Sequence, residues 1–393
     1  MPNQPTKPSV FVFLAVATGI AVASIYLNQV ILSPLARAFD ISADRIGIVS
    51  SVTQLGYAGG LFFLVPLGDV IAKRTLILAK IVFLSLAILC AGVAQNWEEL
   101  ILSSAFIGFF ASVTQSFVPL AADLAEPSER GKKIGVVMSG LLMGILLSRT
   151  LSGVIESAFG WRWVFLGFFF IVAALIAPVW MLVPSSSART DRPGYAQLLR
   201  RVIRLALTER PLQVAMVRHG FVGMAFSAFW TNLSLYLSGP VFGYRSNVIG
   251  AFALIGAIGI LAAPVAGRMS DARGPAFGIR LGISANLISF LLMLLFPKSL
   301  PVLVTTMILF DAGTQVSLIS HQTIIYAINP QMRSSLNSVF MTFLFLCFAL
   351  GSAISNRMFG TFGWPGVLGF ALTTTVLALA MSFVRVRNTN IQK

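Results

Sequence analysis

"PSERGKKIGVVMSGLLMGILLSRTLSGVIESAFGWRWVF", residues 127–165, aligns without a gap to "PQMRSSLNSVFMTFLFLCFALGSAISNRMFGTFGWPGVL", residues 330–368. Pro127 matches Pro330, Arg130 matches Arg333, Met138 matches Met341, and "FGW" recurs at 159–161 and 362–364. Each copy runs from a basic turn through a long apolar block to a Gly-Trp step. Blocks of roughly 20 apolar residues are what it takes to cross about 30 Å of hydrocarbon. A duplicated set of them points to a transporter whose two halves rock about a central site.

Composition agrees. The chain has 393 residues, 57% hydrophobic and 10% charged, with a mean hydropathy of +0.87. Soluble domains carry about 25% charged residues, so a water-soluble fold is excluded. Within hydrocarbon, backbone groups must bond inside their own segment, which leaves helices once the alternating pattern of a membrane barrel is missing. The fold class expected is an all-α membrane protein of about twelve spans in two pseudo-symmetric six-helix halves. The first half places spans at 9–34, 44–68, 75–95, 98–123, 134–157 and 161–183. The second half places them at 211–238, 246–268, 276–296, 300–326, 336–358 and 363–384.

Charge orients these spans. Connections after even-numbered spans hold Lys73, Arg74, Arg130, Lys132, Lys133, Arg273 and Arg333, and the central one adds Arg189, Arg192, Arg200, Arg201, Arg204 and Arg210. Connections after odd-numbered spans are poorer in base: "AQNWEEL" has no positive charge and "FPKSLP" has one. Basic connections stay in the cytoplasm, so both termini and the central loop are expected there. Three regions follow: an N-terminal six-helix bundle over 1–184, a cytoplasmic linker over 185–210, and a C-terminal six-helix bundle over 211–393. In the linker, "YAQLLRRVIRLAL" (195–207) has amphipathic helical spacing. It reads as a helix lying on the anionic inner leaflet, with partner binding as the alternative.

Several function classes drop out. The net charge of +15 sits in short connections, and no zinc-finger or RNA-binding motif accompanies it, so nucleic acid is not an expected partner. Cys90 and Cys347 lie alone in apolar blocks, without metal-ligand or disulfide spacing. No phosphate loop or metalloprotease motif is present, so neither an enzyme nor a cofactor or metal site is expected. Lys7 precedes the first apolar block without a small-residue cleavage site, which reads as a retained first helix.

The loop between spans 2 and 3 recurs as well. "VPLGDVIAKR" (65–74) carries Asp69, Lys73 and Arg74; "AGRMSDARGP" (265–275 less its first residue) carries Gly267, Asp271, Arg273 and Gly274. With "GWRWVF" at 160–165, these residues resemble the major facilitator superfamily, whose signature loop reads Gly-x-x-x-Asp-basic-x-Gly-basic-basic. Val65, Val70 and Ala72 depart from it. "GLFFLVPLGD", "SGLLMGILLSRTLSG" and "DAGTQ" followed by "IYAINPQMRSSLN" resemble bacterial drug and sugar efflux permeases. That resemblance implies proton-driven antiport in a bacterial inner membrane, by a monomer. It also implies gating roles for Asp69, Lys73, Arg74, Arg130, Asp271, Arg273 and Arg333. Two departures bear on coupling. Ser104 stands four residues before Gly108, where many proton antiporters carry arginine. The antiporter motif Gly-x-x-x-Gly-Pro-x-x-Gly-Gly reads Gly140, Gly144, Ile145, Ser148 and Arg149, with the proline lost and the last glycine replaced.

Polar residues inside apolar spans mark candidate cargo contacts: Asn28, Gln29, Gln54, Tyr57, Gln115, Trp230, Asn232 and Gln315. For each one, hydrogen bonding between helices is the alternative role. Asp311 lies near the middle of span 10, and Gln315 and Gln322 fall within roughly 40° of it around the helix. A carboxylate there can take up and release a proton as its surroundings change, which makes Asp311 the candidate for proton coupling. His219 and His321 read as structural. Gly140 and Gly144 share a helix-packing face, and Arg149 lies roughly 180° from Gly140. Its counterpart in the repeat is Ser352, so the fold itself does not ask for arginine. Arg149 is expected to face the central cavity, where it binds an anionic or polar group of the cargo or pairs with Asp311 in one state of the cycle. The reading is a secondary exporter of small organic molecules exchanged for protons. The alternatives are a symporter or facilitator importing a nutrient and, third, a receptor without transport.

Overall fold

The computed structural model describes residues 8–126, 128–184, 194–261, 272–329 and 332–384. Among the described residues the predicted spans fall mainly on helix, and residues 262–268 of the eighth span lie outside them. The first six are built from α1 (Pro8–Ala23), α2 (Leu32–Ala38), α3 (Ala43–Ile46), α4 (Ile48–Phe63), α5 (Lys73–Val93), α6 (Trp97–Ala111), α7 (Thr114–Leu124), α8 (Arg130–Phe159), α9 (Trp161–Ala173) and α10 (Ile176–Leu182). After the linker helix α11 (Tyr195–Thr208) come α12 (Arg210–Ser238), α13 (Ser246–Leu261), α14 (Pro275–Leu295), α15 (Leu300–Ile328) and α16 (Arg333–Ser382).

The repeated "FGW" is a turn between spans. Gly160 has φ 88 where α8 gives way to α9, and Gly363 has φ 64 inside α16, dividing it into the eleventh and twelfth spans. Only glycine enters that region without strain. The following residues, Trp161 and Trp364, are buried in both copies.

The first span is not one helix, as its apolar run had suggested. Between α1 and α2 the chain tightens: Ile25 N bonds Val22 O at 3.1 Å, Tyr26 N bonds Ala23 O at 3.0 Å, and Gln29 N bonds Tyr26 O at 3.2 Å. Bonds to the third residue back wind the backbone more tightly than an α-helix and are poorer in geometry, so such stretches stay short. This one carries Tyr26, Asn28 and Gln29, all buried.

Small residues let α1 and α8 touch backbone to backbone. A Cβ added at Gly140 would overlap the Ala15 carbonyl, and one at Gly144 would overlap that of Gly19. Gly144→Val is therefore expected to force the two helices apart. The thermal midpoint in detergent should fall well below wild type, by more than the roughly 1–3 kcal/mol of ordinary overpacking, because main chain has to yield. Gly167→Ala, where nothing lies within 4 Å, is the control expected to leave the midpoint in place.

With the basic connections taken as the inner side, the two halves meet at the outer side and part at the inner. On the outer side Thr150 Oγ1 donates to Gly250 O at 3.0 Å and Asn247 N donates to Ser157 Oγ at 2.9 Å. Gly47 abuts Asn356 and Gly360 abuts Asp44. On the inner side a cavity of about 630 Å³ opens between α7 and α8 of one half and α15 and α16 of the other.

The linker helix departs from expectation. Leu198, Val202 and Leu205 of α11 are buried in a cluster with Leu212, Met216, Ile325, Leu336 and Phe340 or beside it, and Tyr195 Oη donates to Phe63 O at 2.8 Å. Leu198, Val202 and Leu205 thus meet protein under the bundle, while Ile203 and Leu207 of the same helix stay exposed. Amphipathic spacing specifies that a stripe must be covered and is silent on what covers it.

Candidate functional site

The tight turn after α1, the outer half of α8 and the middles of α12 and α15 converge on one buried guanidinium. Arg149 is 4% exposed. Its Nε donates to Gln29 Oε1 at 3.0 Å, and its Nη2 is buried without a partner. One face lies 3.9 Å from the centroid of a Trp230 ring, and Tyr26 lies at 5.0 Å. Trp230 Nε1 in turn donates to Asp311 Oδ1 at 3.2 Å, while Asp311 Oδ2 rests against Gly256.

Arg149 and Asp311 thus influence one another electrostatically without forming an ion pair. The two pairs within 4 Å among the described residues are Lys73–Asp123 and Lys133–Glu129. Direct pairing of Arg149 with Asp311, one of the sequence expectations, is replaced here by an indole inserted between them. An indole can do this because its π-face attracts a cation while its N–H serves an anion. Glu156, seven residues on from Arg149, does not reach it either.

The remaining candidates divide into two groups. Gln54, Tyr57 and Gln115 lie along the path inward: Ser227 Oγ donates to Gln54 Oε1 at 3.1 Å across the two halves, and Gln115 Nε2 donates to Tyr57 Oη at 3.2 Å. Tyr57 packs on Phe345 with centroids 4.4 Å apart, and Gln115 lines the inner cavity. Two others hold helices together. Asn28 Nδ2 donates to Thr53 Oγ1 at 3.0 Å and Ser50 Oγ donates to Asn28 Oδ1 at 3.2 Å. Asn232 Nδ2 donates to Ser355 Oγ at 2.9 Å. Gln315 is half-buried beside the site, without a hydrogen bond among the described residues. Gln322, further along the same stripe, donates to Asn337 at 3.3 Å.

The gating candidates sit at the inner mouth. Arg130 and Arg333 line the cavity, and Arg333 Nε donates to Tyr326 O at 3.3 Å. Lys73 pairs with Asp123 of α7, a residue that the loop pattern did not single out. Arg74 stacks on Trp180 at 4.1 Å and Arg273 lies 5.0 Å from Phe277. Asp271 and the side chain of Asp69 lie outside the described residues. The histidines form a buried group of their own: His219 Nδ1 is 3.1 Å from Ser317 Oγ, and the His219 and His321 rings are 5.0 Å apart.

Two buried groups escaped the sequence reading. Tyr26, 5% exposed, carries no signal in the sequence that separates it from the chain's other aromatics. Lys80, 2% exposed in α5 with Ser116 Oγ at 3.3 Å, carried a usable signal, since an ionisable residue inside a span marks function by default.

Comparison with known proteins gives a consistent outcome. The family model described as Major Facilitator Superfamily matches residues 14–299. The chain is 37% identical over 366 residues to the uncharacterized transporter YgaY of Escherichia coli O157:H7, covering 93% of each protein. It is 27% identical over 394 residues to the inner membrane transport protein YnfM of Escherichia coli (strain K12), covering 96% of this chain and 92% of that one. Among solved structures, a bacterial homologue of the human lysosomal transporter Spinster, in an inward-facing and unoccupied conformation, superposes with a TM-score of 0.72. That match is 16% identical and covers 97% of this chain and 96% of the other, so it speaks to the fold alone.

Proposed function

The chain belongs to the major facilitator superfamily, and from that premise we propose that it exports small organic molecules by alternating access in exchange for protons. Membership makes it a multi-pass integral membrane transporter of small molecules and not an enzyme. Direction and coupling ion are the proposed part, as is a bacterial cytoplasmic membrane as its site.

The observation that carries the proposal is the chain Arg149–Trp230–Asp311. It joins a cation of one half to a carboxylate of the other at the level where the halves close. Uncompensated charge inside a bilayer is costly and marks ion or substrate pathways. A carboxylate one indole away from a guanidinium has two options: draw the cation toward it, or bind a proton and release it. Rocking the halves changes which option is available, because Arg149 and Asp311 ride on different halves. That supports a cycle in which cargo and proton occupy the site in turn. The efflux-type residues around Gly140 and Gly144 support export as the direction.

Everted membrane vesicles energised to an acid interior test this reading, with a pH-sensitive dye reporting the gradient. A panel of dyes, antibiotics, sugars and organic acids is added in turn. At least one compound is expected to collapse the gradient in vesicles carrying the protein and not in vesicles lacking it. A panel that leaves the gradient intact, alongside measurable uptake of one of its members, would exclude proton exchange.

A further inference from the structure

Resting on the transport reading above, we propose that the cargo is an organic anion whose planar oxyanion group, a carboxylate or its equivalent, docks on the free edge of the Arg149 guanidinium. Arg149 is buried with no carboxylate within 4 Å among the described residues. A guanidinium offers five donors in a planar fork that matches a carboxylate through two parallel bonds. Here Nε serves Gln29 and Nη2 serves nothing. Both aromatic contacts, to Trp230 at 3.9 Å and Tyr26 at 5.0 Å, are made by the π-faces of those rings. What the fork lacks is an acceptor for Nη2, which is enclosed and unpartnered, and a flat group with two oxygens supplies that acceptor together with the missing negative charge, whereas an ammonium or a neutral dipole does not.

The nearest acid is held off. Asp311 gives one oxygen to the indole N–H and rests the other on Gly256, so the counter-charge that Arg149 lacks has to come from outside the protein. Trp230 acts here as a positioning residue. It keeps the resident carboxylate one ring away and leaves the fork open to the cargo's.

The route to the site has the same sign. The inner cavity is lined by Arg130 and Arg333 with no acidic residue among the described side chains, and a smaller hollow beside it is lined by Arg201 and by Lys73, the latter already paired with Asp123. Basic clefts with low-dielectric walls concentrate anions. Membrane topology alone puts bases at the inner mouth, but it gives no reason for a buried cation at the outer half of α8. Gln115 lines the cavity and bonds Tyr57.

The test uses the full-length protein in lipid nanodiscs, with benzoate, benzamide and benzylamine as probes of equal shape and different charge. Benzoate is expected to raise the thermal midpoint and quench tryptophan fluorescence, whereas benzamide and benzylamine do neither at the same concentrations. Arg149→Lys, which keeps the charge and loses the fork, should weaken benzoate about tenfold or more. Arg149→Gln should abolish the response, and Gly167→Ala, at a position with nothing within 4 Å, should retain it. No response to benzoate, an equal response to benzamide, or full binding by Arg149→Gln would overturn the proposal. If the glutamine variant fails to fold, the lysine variant and the benzamide comparison still decide. The vesicle gradient is a separate readout: anion selectivity can fail while proton exchange stands, and exchange can fail while benzoate still binds through Arg149.

Discussion

Arg149→Ala is expected to reach the membrane, fold, and transport at a rate about 100-fold or more below wild type. The reason lies in what the residue costs and what it receives. An arginine near the middle of a span costs roughly 2.5–3.5 kcal/mol on insertion scales. A desolvated cation–π contact returns about 2 kcal/mol, and one hydrogen bond to a charged group returns roughly 1.5–3 kcal/mol. These contributions nearly cancel, so stability gives no reason to keep Arg149. The thermal midpoint of the alanine variant should accordingly move by only a few degrees, since the shift is about 2–4 °C per kcal/mol for roughly 150–250 residues and smaller for a longer chain. Transport responds differently, because the variant loses both the fork that meets the cargo and the charge that faces Asp311 across Trp230. Losing charged hydrogen bonds worth roughly 1.5–3 kcal/mol lowers binding about tenfold to 100-fold, and losing the charge removes the coupling as well. Initial uptake rates in everted vesicles, normalised to protein in the membrane, check this. Unchanged transport by the alanine variant would remove Arg149 from the mechanism.

Much of this arrangement is legible in the amino-acid sequence, and the parts that are not have physical causes. The repeat, the spans and the "FGW" turns follow from length, hydropathy and glycine alone. That Gly140 and Gly144 form a close-packing face follows from their helical spacing, while α1 as the helix they meet does not. The break at residues 24–31 does not, because "SIYLNQVI" has no glycine or proline to mark a turn and periodicity cannot separate a tight turn from an α-helix. The insertion of Trp230 between Arg149 and Asp311 is equally hidden: charge predicts that two such residues attract, and rotamers decide whether something stands between them. Lys73 and Asp123 are 50 residues apart, so their pairing is a property of how α5 and α7 sit together. The linker helix shows the same limit, since its stripe is visible and its cover is not. Lys80 is a different case. Its signal was present in "LAKIVF", among many bases that membrane topology already explains.

Asp311→Asn is expected to separate movement of cargo from movement of protons. The amide preserves volume and keeps an oxygen that can accept from Trp230 Nε1, so the packing around α12 and α15 should survive. What disappears is a group able to change charge within the membrane. Without it the rocking of the halves no longer depends on whether a proton is bound, and only exchange of cargo against cargo or downhill movement remains. Arg149 stays in place in this variant, so binding of benzoate should persist while coupling is lost. That combination distinguishes removal of the proton site from a collapsed structure.

The most direct measurement is the initial flux, in proteoliposomes, of the panel compound that gives the largest proton signal, with a one-unit pH gradient and with none. For the wild type, a gradient with the acid on the side to which cargo is delivered should raise the flux severalfold. For Asp311→Asn, flux should continue and the two rates should be equal. A wild-type rate indifferent to the gradient, or an asparagine variant stimulated as strongly as wild type, would contradict the assignment of Arg149, Trp230 and Asp311 as the coupled centre of this transporter.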